Sequence, residues 1–273
     1  MNGAERARCL YVDLDGTLLG RGASLLHDGE GKVSIDGVRA VQACLRADVE
    51  VVLISGRRRA QVHEDARLLG QASFIYEAGA CVVLDGEEHW LTGDLLPGEL
   101  TIAEQIERSG APQLLLEHYA GRLEYHEPWH SDREFTHLMR GLVDADDANA
   151  LLASHGHDHL RLVDNGVIAP KPSLPDLDGP PHAYHLMPST ASKAAAVEAH
   201  MRARGYAAEE CIAVGDSRED VGVAPVVGRF FLVANGAEKD PSLRGAHVNV
   251  EVTEARNGEG FYEAVVRSLA EAR

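Results

Sequence analysis

The 273-residue chain lacks the features that mark secreted or membrane proteins. Its four cysteines are widely spaced and include no Cys-x-x-Cys pair, so no disulfide framework is indicated and the thiols are expected to be reduced. No run approaches the ~18 apolar residues that span a bilayer. The apolar run near the start is broken by Asp13 and Asp15, which leaves no signal-peptide core. We therefore expect a cytoplasmic protein.

Positive charge is also scarce. The 26 lysines and arginines face 43 aspartates and glutamates, for a formal net charge of −17. The long-range field of such a chain repels phosphate polymers, so neither nucleic acid nor a membrane is an expected partner. A small phosphorylated molecule stays compatible with this charge if local cations offset it. Hydrophobic residues at 45% and charged residues at 25% are ordinary for a globular protein.

Buried-strand patterns alternate with helical patterns at both ends of the chain. Residues 9–12, 51–54 and 211–214 are short apolar runs, typical of parallel strands that are covered on both faces. This alternation predicts an α/β fold with a mostly parallel, Rossmann-like sheet. Such folds bind ligands at the carboxyl ends of their strands.

The alternation changes in the middle of the chain. Short strand and helix patterns follow one another there, including a predicted strand at 113–118 and a predicted hairpin turn at Asn165-Gly166. We expect an inserted α/β subdomain over residues 92–185. The core domain would then consist of residues 1–91 and 186–273.

The string Asp13-Leu14-Asp15-Gly16-Thr17 carries the strongest chemical signal. Side chains alternate along a strand, so two carboxylates two residues apart at a strand end can face one pocket. Unpaired carboxylates are costly to bury, and this placement predicts water or a cation beside them. The alternative is a loop-entry cluster or helix cap without catalytic function.

This string resembles the nucleophile motif of the haloacid dehalogenase superfamily. Three further segments resemble the other motifs of that family in the same order: Ile54-Ser55-Gly56-Arg57 the second motif, Lys193 at a helix start the phosphate-binding lysine, and Gly215-Asp216-Ser217-Arg218-Glu219-Asp220 the metal motif. Each segment alone has an ordinary explanation as a helix cap, a solvated lysine or acids at a helix start. Together they cover essentially the whole core.

The resemblance implies phosphoryl transfer through a covalent intermediate. Asp13 would attack phosphorus to give an aspartyl-phosphate, and Asp15 would act as general acid and then base. Mg²⁺, which prefers oxygen ligands, would be the cofactor. Its ligands would be Asp13, Asp15 through the backbone carbonyl, and Asp216, with Asp220 as an additional or outer acid. The phosphate-binding residues would be Ser55, Gly56 and Lys193.

The insert lies between the second and third motifs, which resembles the α/β cap of Cof-type, sucrose-phosphate and mannosyl-3-phosphoglycerate phosphatases. The resemblance implies a phosphatase for a small phosphorylated metabolite, above all a sugar phosphate. Two alternatives stay open: a phosphomutase of the phosphomannomutase type and a non-catalytic metabolite-binding protein. We expect a monomer or small homo-oligomer. Candidate substrate contacts are Arg57, Glu77, His126 and Arg140.

Overall fold

Residues 6–170, 172–175 and 177–271 are described in a computed structural model. Their strands are β1 (Cys9–Asp13), β2 (Glu50–Ile54), β3 (Phe74–Tyr76), β4 (Cys81–Leu84), β5 (Glu87–Trp90), β6 (Leu123–Tyr125), β7 (His137–Gly141), β8 (Leu160–Val167), β9 (His182–Pro188), β10 (Cys211–Gly215), β11 (Arg229–Leu232) and β12 (Val250–Val252). Their α-helices are α1 (Asp36–Arg46), α2 (Arg59–Leu68), α3 (Ile102–Ser109), α4 (Ala111–His118), α5 (Ala145–Ser154), α6 (Lys193–Arg204), α7 (Arg218–Val221), α8 (Ala234–Lys239) and α9 (Asn257–Glu271). Within these residues, no helix has the length and apolar character that crossing a membrane requires.

The main sheet confirms the predicted α/β fold with a mostly parallel sheet. Its strand order is β12-β11-β10-β1-β2-β3-β4-β5. The strands from β12 to β3 are parallel, and β4 and β5 continue the sheet as an antiparallel hairpin. Strand β1 is therefore central, with β2 and β10 as its neighbours.

Alternate residues of β1 pack against opposite faces of this sheet. Leu10 and Val12 belong to the cluster that includes α1 and α9, whereas Cys9 and Tyr11 belong to the cluster that includes α6. Both faces are covered, so the strand carries apolar residues at every position instead of every second one. This double burial holds the carboxyl end of β1 in place.

The segment between β5 and α6 forms a smaller antiparallel sheet with strand order β6-β7-β9-β8. Helices α3, α4 and α5 come from the same segment. The sheet corresponds to the expected α/β insert. The division of the chain at residues 92 and 185 stays a prediction, and the last strand of the small sheet runs to Pro188.

Two local expectations for the insert were wrong. The predicted strand at 113–118 is part of helix α4, because Pro112 occupies its first turn and the leucine-rich run has no β-branched residue to favour a strand. Asn165-Gly166 is not a hairpin turn. It lies inside β8 at an irregularity in the pairing with β9, and residues 168–181 connect these two strands.

Candidate active site

The carboxyl ends of three central strands bring the predicted site residues together. Asp13 ends β1, Ser55 directly follows β2, and Asp216 directly follows β10. Val12 pairs in register with Leu53 and with Val214, so these strands end at the same level. Helix α6 begins at Lys193 above this edge, and its N-cap Ser192 accepts a hydrogen bond from the amide of Ala195 at 3.0 Å.

Lys193 binds two of the predicted carboxylates. Its Nζ donates to Oδ1 of Asp13 at 2.8 Å and to Oδ1 of Asp220 at 2.6 Å. The lysine is 2% exposed, and Asp13 and Asp220 are 7% and 4% exposed. A buried lysine is stable as a cation only when opposite charges surround it. This lysine is therefore a built part of the site and not a solvated surface residue.

The buried carboxylates outnumber the fully buried cations, and their pKa values reflect this. Burial, followed by the negative charge of Asp220, raises the pKa of Asp13 well above its usual range, although Lys193 opposes the shift. Burial also raises the pKa of Asp216, against the opposing charge of Lys239. The pKa of Lys193 rises because Asp13 and Asp220 outweigh its desolvation. An additional positive charge would stabilise the ionised form of the aspartates.

Asp216 contacts residues that follow the neighbouring strand β11. Its Oδ2 accepts from Nζ of Lys239 at 2.6 Å and from Nδ2 of Asn235 at 3.4 Å. Gly16 is needed on the other side. It has φ of +92°, and a Cβ there would lie 2.3 Å from Oδ2 of Asp216. The loop after β1 can approach this aspartate only because residue 16 has no side chain.

Asp220 differs from the other acids of the cluster in its hydrogen bonds. Its Oδ2 accepts from the backbone amides of Asp216 and Ser217 at 3.1 and 3.0 Å, and from Oγ of Ser217 at 2.6 Å. Both of its oxygens therefore have protein donors, since Oδ1 binds Lys193. Asp220 thus orients two groups: the turn that carries Asp216, and the side chain of Lys193 beside Asp13.

The donor set fits a hard divalent cation. Carboxylate oxygens of Asp13, Asp216 and Asp220 all lie within 4.8 Å of one another, and the three residues are buried. An all-oxygen group with excess negative charge suits Mg²⁺, which binds through one or two carboxylates and keeps several waters. Asp13 and Asp216 are the residues that would hold it, with Asp220 behind them.

Asp15 is not part of the buried carboxylate group. Its two carboxylate oxygens accept from Nη2 and Nε of Arg57, each at 2.6 Å. Nη1 of Arg57 binds Asp65 at 2.9 Å. The Asp15 side chain is 55% exposed, in contrast to the buried Asp13. Two planar groups in this paired arrangement restrict each other, so Arg57 positions the predicted acid–base residue.

The turn after β2 lies under the insert. Ser55 is 2% exposed, and its Oγ accepts from the amide of Arg57 at 3.1 Å. The carbonyl of Gly56 accepts from Nη1 of Arg133 at 3.0 Å. A Cβ on Gly56 would lie 2.8 Å from Nε2 of His185. Two residues of the insert therefore reach the predicted phosphate-binding turn.

A cavity of about 490 Å³ separates the main domain from the insert. We call its two sides the core wall, made by Asp13, Asp15, Ser55, Gly56, Arg57, Lys193 and Asp216, and the cap wall, made by His126, Trp129, Arg133, Leu138 and His185. Burial, then the charges of Arg133 and Lys193, lowers the pKa of His185 well below its usual range. His185 is thus neutral at pH 7.

Two candidate substrate residues lie elsewhere. Glu77 is fully buried and accepts from the amides of residues 134, 135 and 136 at 2.8, 3.0 and 2.8 Å. Arg140 directs Nε to Glu124 at 2.5 Å and Nη2 to Ser173 at 3.1 Å. The structure assigns Glu77 to the junction of core and insert and Arg140 to the interior of the insert. Neither side chain is available to a ligand in this arrangement.

A larger cavity of about 700 Å³ lies on the other side of Gly16. Its lining carries four acidic and three basic residues: Asp28, Glu30, Glu254 and Glu259 against Arg21, Lys239 and Arg256. The buried cluster of Asp13 and Lys193 is not part of this lining. The smaller cavity is therefore the better candidate for the active site.

Several residues of the site were missed by sequence reasoning. Lys239 and Asn235 lie on α8, which starts just beyond the end of β11. Because ligands bind at the carboxyl ends of strands in such folds, this position could have indicated them from the sequence. His185 lies within a strand of the insert, where nothing in the sequence distinguishes it from other polar strand residues. Arg57 was predicted as a substrate contact, and its pairing with Asp15 could not be read from the sequence because it depends on folding.

Two curated relatives are similar to nearly the whole chain. No family model matches the chain. It is 25% identical to a phosphoglycolate phosphatase of Archaeoglobus fulgidus over 95% of this chain and 96% of that protein. It is 26% identical to a phosphoglycolate phosphatase of Methanosarcina mazei, over 94% and 95% of the two chains.

Solved structures share the whole architecture. The sucrose-phosphatase of Synechocystis sp. superposes with a TM-score of 0.67 at 13% identity, over 97% of this chain and 98% of that one. A haloacid dehalogenase-like hydrolase from Bacteroides thetaiotaomicron superposes with a TM-score of 0.62 at 15% identity, over 96% and 99%. At such low identity these similarities show the fold alone: an α/β core with an inserted cap.

Proposed function

We propose that this chain, which belongs to the haloacid dehalogenase superfamily of phosphatases, is a Mg²⁺-dependent phosphomonoesterase for a small phosphorylated metabolite. The observation that carries this proposal is the buried group of Asp13, Asp216 and Asp220, in which Lys193 binds Asp13 and Asp220. When bound there, Mg²⁺ would neutralise negative charge on the phosphoryl oxygens.

The side chains of the chain divide the reaction between them. The carboxylate of Asp13 attacks phosphorus in line, forming the aspartyl-phosphate as the bond to the leaving oxygen breaks. Asp15 gives its proton to that oxygen and then takes one from the water that cleaves the aspartyl-phosphate. Lys193, Ser55 and the backbone amide of Gly56 bind the phosphoryl oxygens. The cap wall keeps other water out during these steps.

Two substrate classes follow from different observations. The relatives that match over nearly their full length are named phosphoglycolate phosphatase, so we propose a small phosphorylated acid such as phosphoglycolate as the first candidate. The position of the insert in the sequence favours a sugar phosphate as the second. The cavity of about 490 Å³ is of a size that suits a small metabolite of either class.

The test compares the wild type with Asp13→Asn and with Asp48→Asn, a matched control at an exposed position remote from the site. Phosphate release is measured from phosphoglycolate, a panel of sugar phosphates and p-nitrophenyl phosphate. We expect Asp13→Asn to lose at least about a thousandfold in kcat, as loss of a nucleophile does in other covalent enzymes. Asp48→Asn should match the wild type.

Metal dependence and the phosphomutase alternative have their own readouts. EDTA should abolish phosphate release, and Mg²⁺ should restore it. Full activity of Asp13→Asn would contradict the proposed nucleophile. Isomerisation of mannose 1-phosphate in the presence of a bisphosphate activator, without net phosphate release, would favour the mutase.

A further inference from the structure

A second cluster of metal-binding side chains lies at the opposite end of strand β1. Cys9 is the first residue of this strand and Asp13 the last, which places the two clusters about 13 Å apart at the usual rise of a strand. Glu50 begins the neighbouring strand β2, and His200 lies on α6. The phosphatase reaction uses none of these residues.

Three different kinds of donor atom converge in this cluster. Sγ of Cys9, a carboxylate oxygen of Glu50 and a ring nitrogen of His200 all lie within 4.8 Å of one another. Cys9 and His200 are both 0% exposed. Thiolate, imidazole and carboxylate are the ligands of Zn²⁺ in proteins, whereas Mg²⁺ selects oxygen alone.

One ring nitrogen of His200 faces the cluster and makes no hydrogen bond. Its Nδ1 hydrogen-bonds with the hydroxyl of Tyr11 at 2.8 Å. Its Nε2 is buried without a hydrogen-bond partner and lies 3.5 Å from Oε1 of Glu50. A buried nitrogen without a partner is unfavourable unless something else satisfies it. A cation between Nε2, the carboxylate and the thiol would do so.

We propose that Cys9, Glu50 and His200 form a binding site for a thiophilic divalent cation such as Zn²⁺, separate from the carboxylate site. Cys211 pairs with Cys9 in the parallel sheet, but it is not one of the three residues whose donor atoms converge.

Neighbouring residues hold the ligands in orientation. Tyr11 binds the second nitrogen of the His200 ring, which is the usual arrangement around a metal-bound histidine. Glu50 accepts from the hydroxyl of Tyr206 at 2.8 Å and from Nη2 of Arg204 at 3.1 Å. The Glu50 side chain is 21% exposed, so the ion reaches the site from the surface past this residue.

Occupation of this site would tie the amino ends of the central strands to α6. The same helix carries Lys193 at its first residue, two turns before His200. We therefore assign the site a structural role that steadies the helix above the catalytic aspartates.

The test uses the full-length protein with excess Mg²⁺, so that oxygen-ligand sites are occupied. Co²⁺ is titrated in while the thiolate-to-cobalt charge-transfer absorption is recorded, a band that oxygen ligands do not produce. We expect one equivalent of Co²⁺ to give this band and Zn²⁺ to displace it. Cys9→Ser and His200→Asn should abolish the band.

Cys44→Ser is the matched control, because Cys44 is an equally buried cysteine on the opposite face of the sheet and should leave the band unchanged. Circular dichroism checks that each variant is folded. If Cys9→Ser does not fold, Glu50→Gln decides, with an expected loss of Co²⁺ affinity of at least about tenfold. No band in the wild type, an undiminished band in Cys9→Ser, or unchanged affinity in Glu50→Gln would overturn the proposal.

Discussion

The core wall and the cap wall of the cavity differ in burial, charge and polarity. The core wall places Asp13, Asp216 and Lys193 at no more than 8% exposure, and its buried carboxylates outnumber the single fully buried cation. The cap wall presents the half-exposed Trp129, the apolar Leu138 and the neutral His185, with Arg133 as a charged residue. We propose that the chemistry takes place at the core wall, while the cap wall supplies shape and excludes water.

A buried carboxylate makes several of the contacts at the junction between the walls. Glu77 belongs to the core, yet its oxygens accept three consecutive amides of the insert, those of residues 134–136. Phe135 also packs edge-on against Tyr76 of β3, with ring centroids 5.7 Å apart. The cap is thus held over the core by a compact set of contacts, and a single substitution can test them.

The largest expected effect comes from the core wall. Lys193→Met keeps the length of the side chain but leaves Asp13 and Asp220 buried without their shared cation. We expect a loss of ~3–5 kcal/mol in the free energy of unfolding, as when one partner of a buried ion pair is removed. Phosphatase activity should fall with it. Urea unfolding and phosphate release measure the two effects.

Lys32→Met is the control, because Lys32 has a 75% exposed side chain in a surface ion pair, and such pairs contribute little. If both variants lose stability equally, the difference in burial between this lysine and a surface lysine has no energetic meaning and the comparison fails.

The next largest expected effect comes from a substitution at the junction of core and insert. Glu77→Gln replaces one acceptor oxygen with an NH₂ group that faces amide donors of the insert, which should reduce stability by about 1–3 kcal/mol. Because the cap wall is displaced while Asp13 and Lys193 are untouched, we expect KM to rise more than kcat falls. Steady-state kinetics separates the two.

Glu64→Gln, at an exposed position of α2, is the matched control. A fall in kcat at constant KM would place Glu77 in the chemistry and not at the junction.

The smallest expected effect is a gain in melting temperature. In metal-free protein the raised pKa of Asp13 means that the native state holds a proton that the unfolded chain releases, so this group lowers stability as pH rises from the usual aspartate range. Asp13→Asn should therefore melt roughly 2–4 °C above the wild type in EDTA at pH 8, for a difference of about 1 kcal/mol.

This advantage should shrink as the pH is lowered towards 4, and Mg²⁺ should remove it by stabilising the wild type. Differential scanning calorimetry across this pH range is the measurement. A variant that melts below the wild type in EDTA at pH 8 would show that the charge of Asp13 does not destabilise the metal-free protein.

The fold and the core wall were accessible from the sequence because their signals are local. Asp13 and Asp216 each follow an apolar strand pattern directly, and parallel strands end at one edge. The insert was predicted less accurately. The leucine-rich run of α4 has the length of either a strand or a helix, and Asn165-Gly166 favours a turn but is accommodated as an irregularity inside β8.

The features that the sequence did not predict are contacts between residues far apart in the chain. The local motifs alone predicted an α/β core that brings its carboxylates and its lysine to one edge of the sheet, because strand ends and helix starts position their own side chains. Only the tertiary structure turned Asp15 towards Arg57, closed Glu77 onto the insert, and brought Cys9, Glu50 and His200 within reach of one ion. Those contacts join separate elements, and packing of the whole chain, not spacing along it, sets their distances.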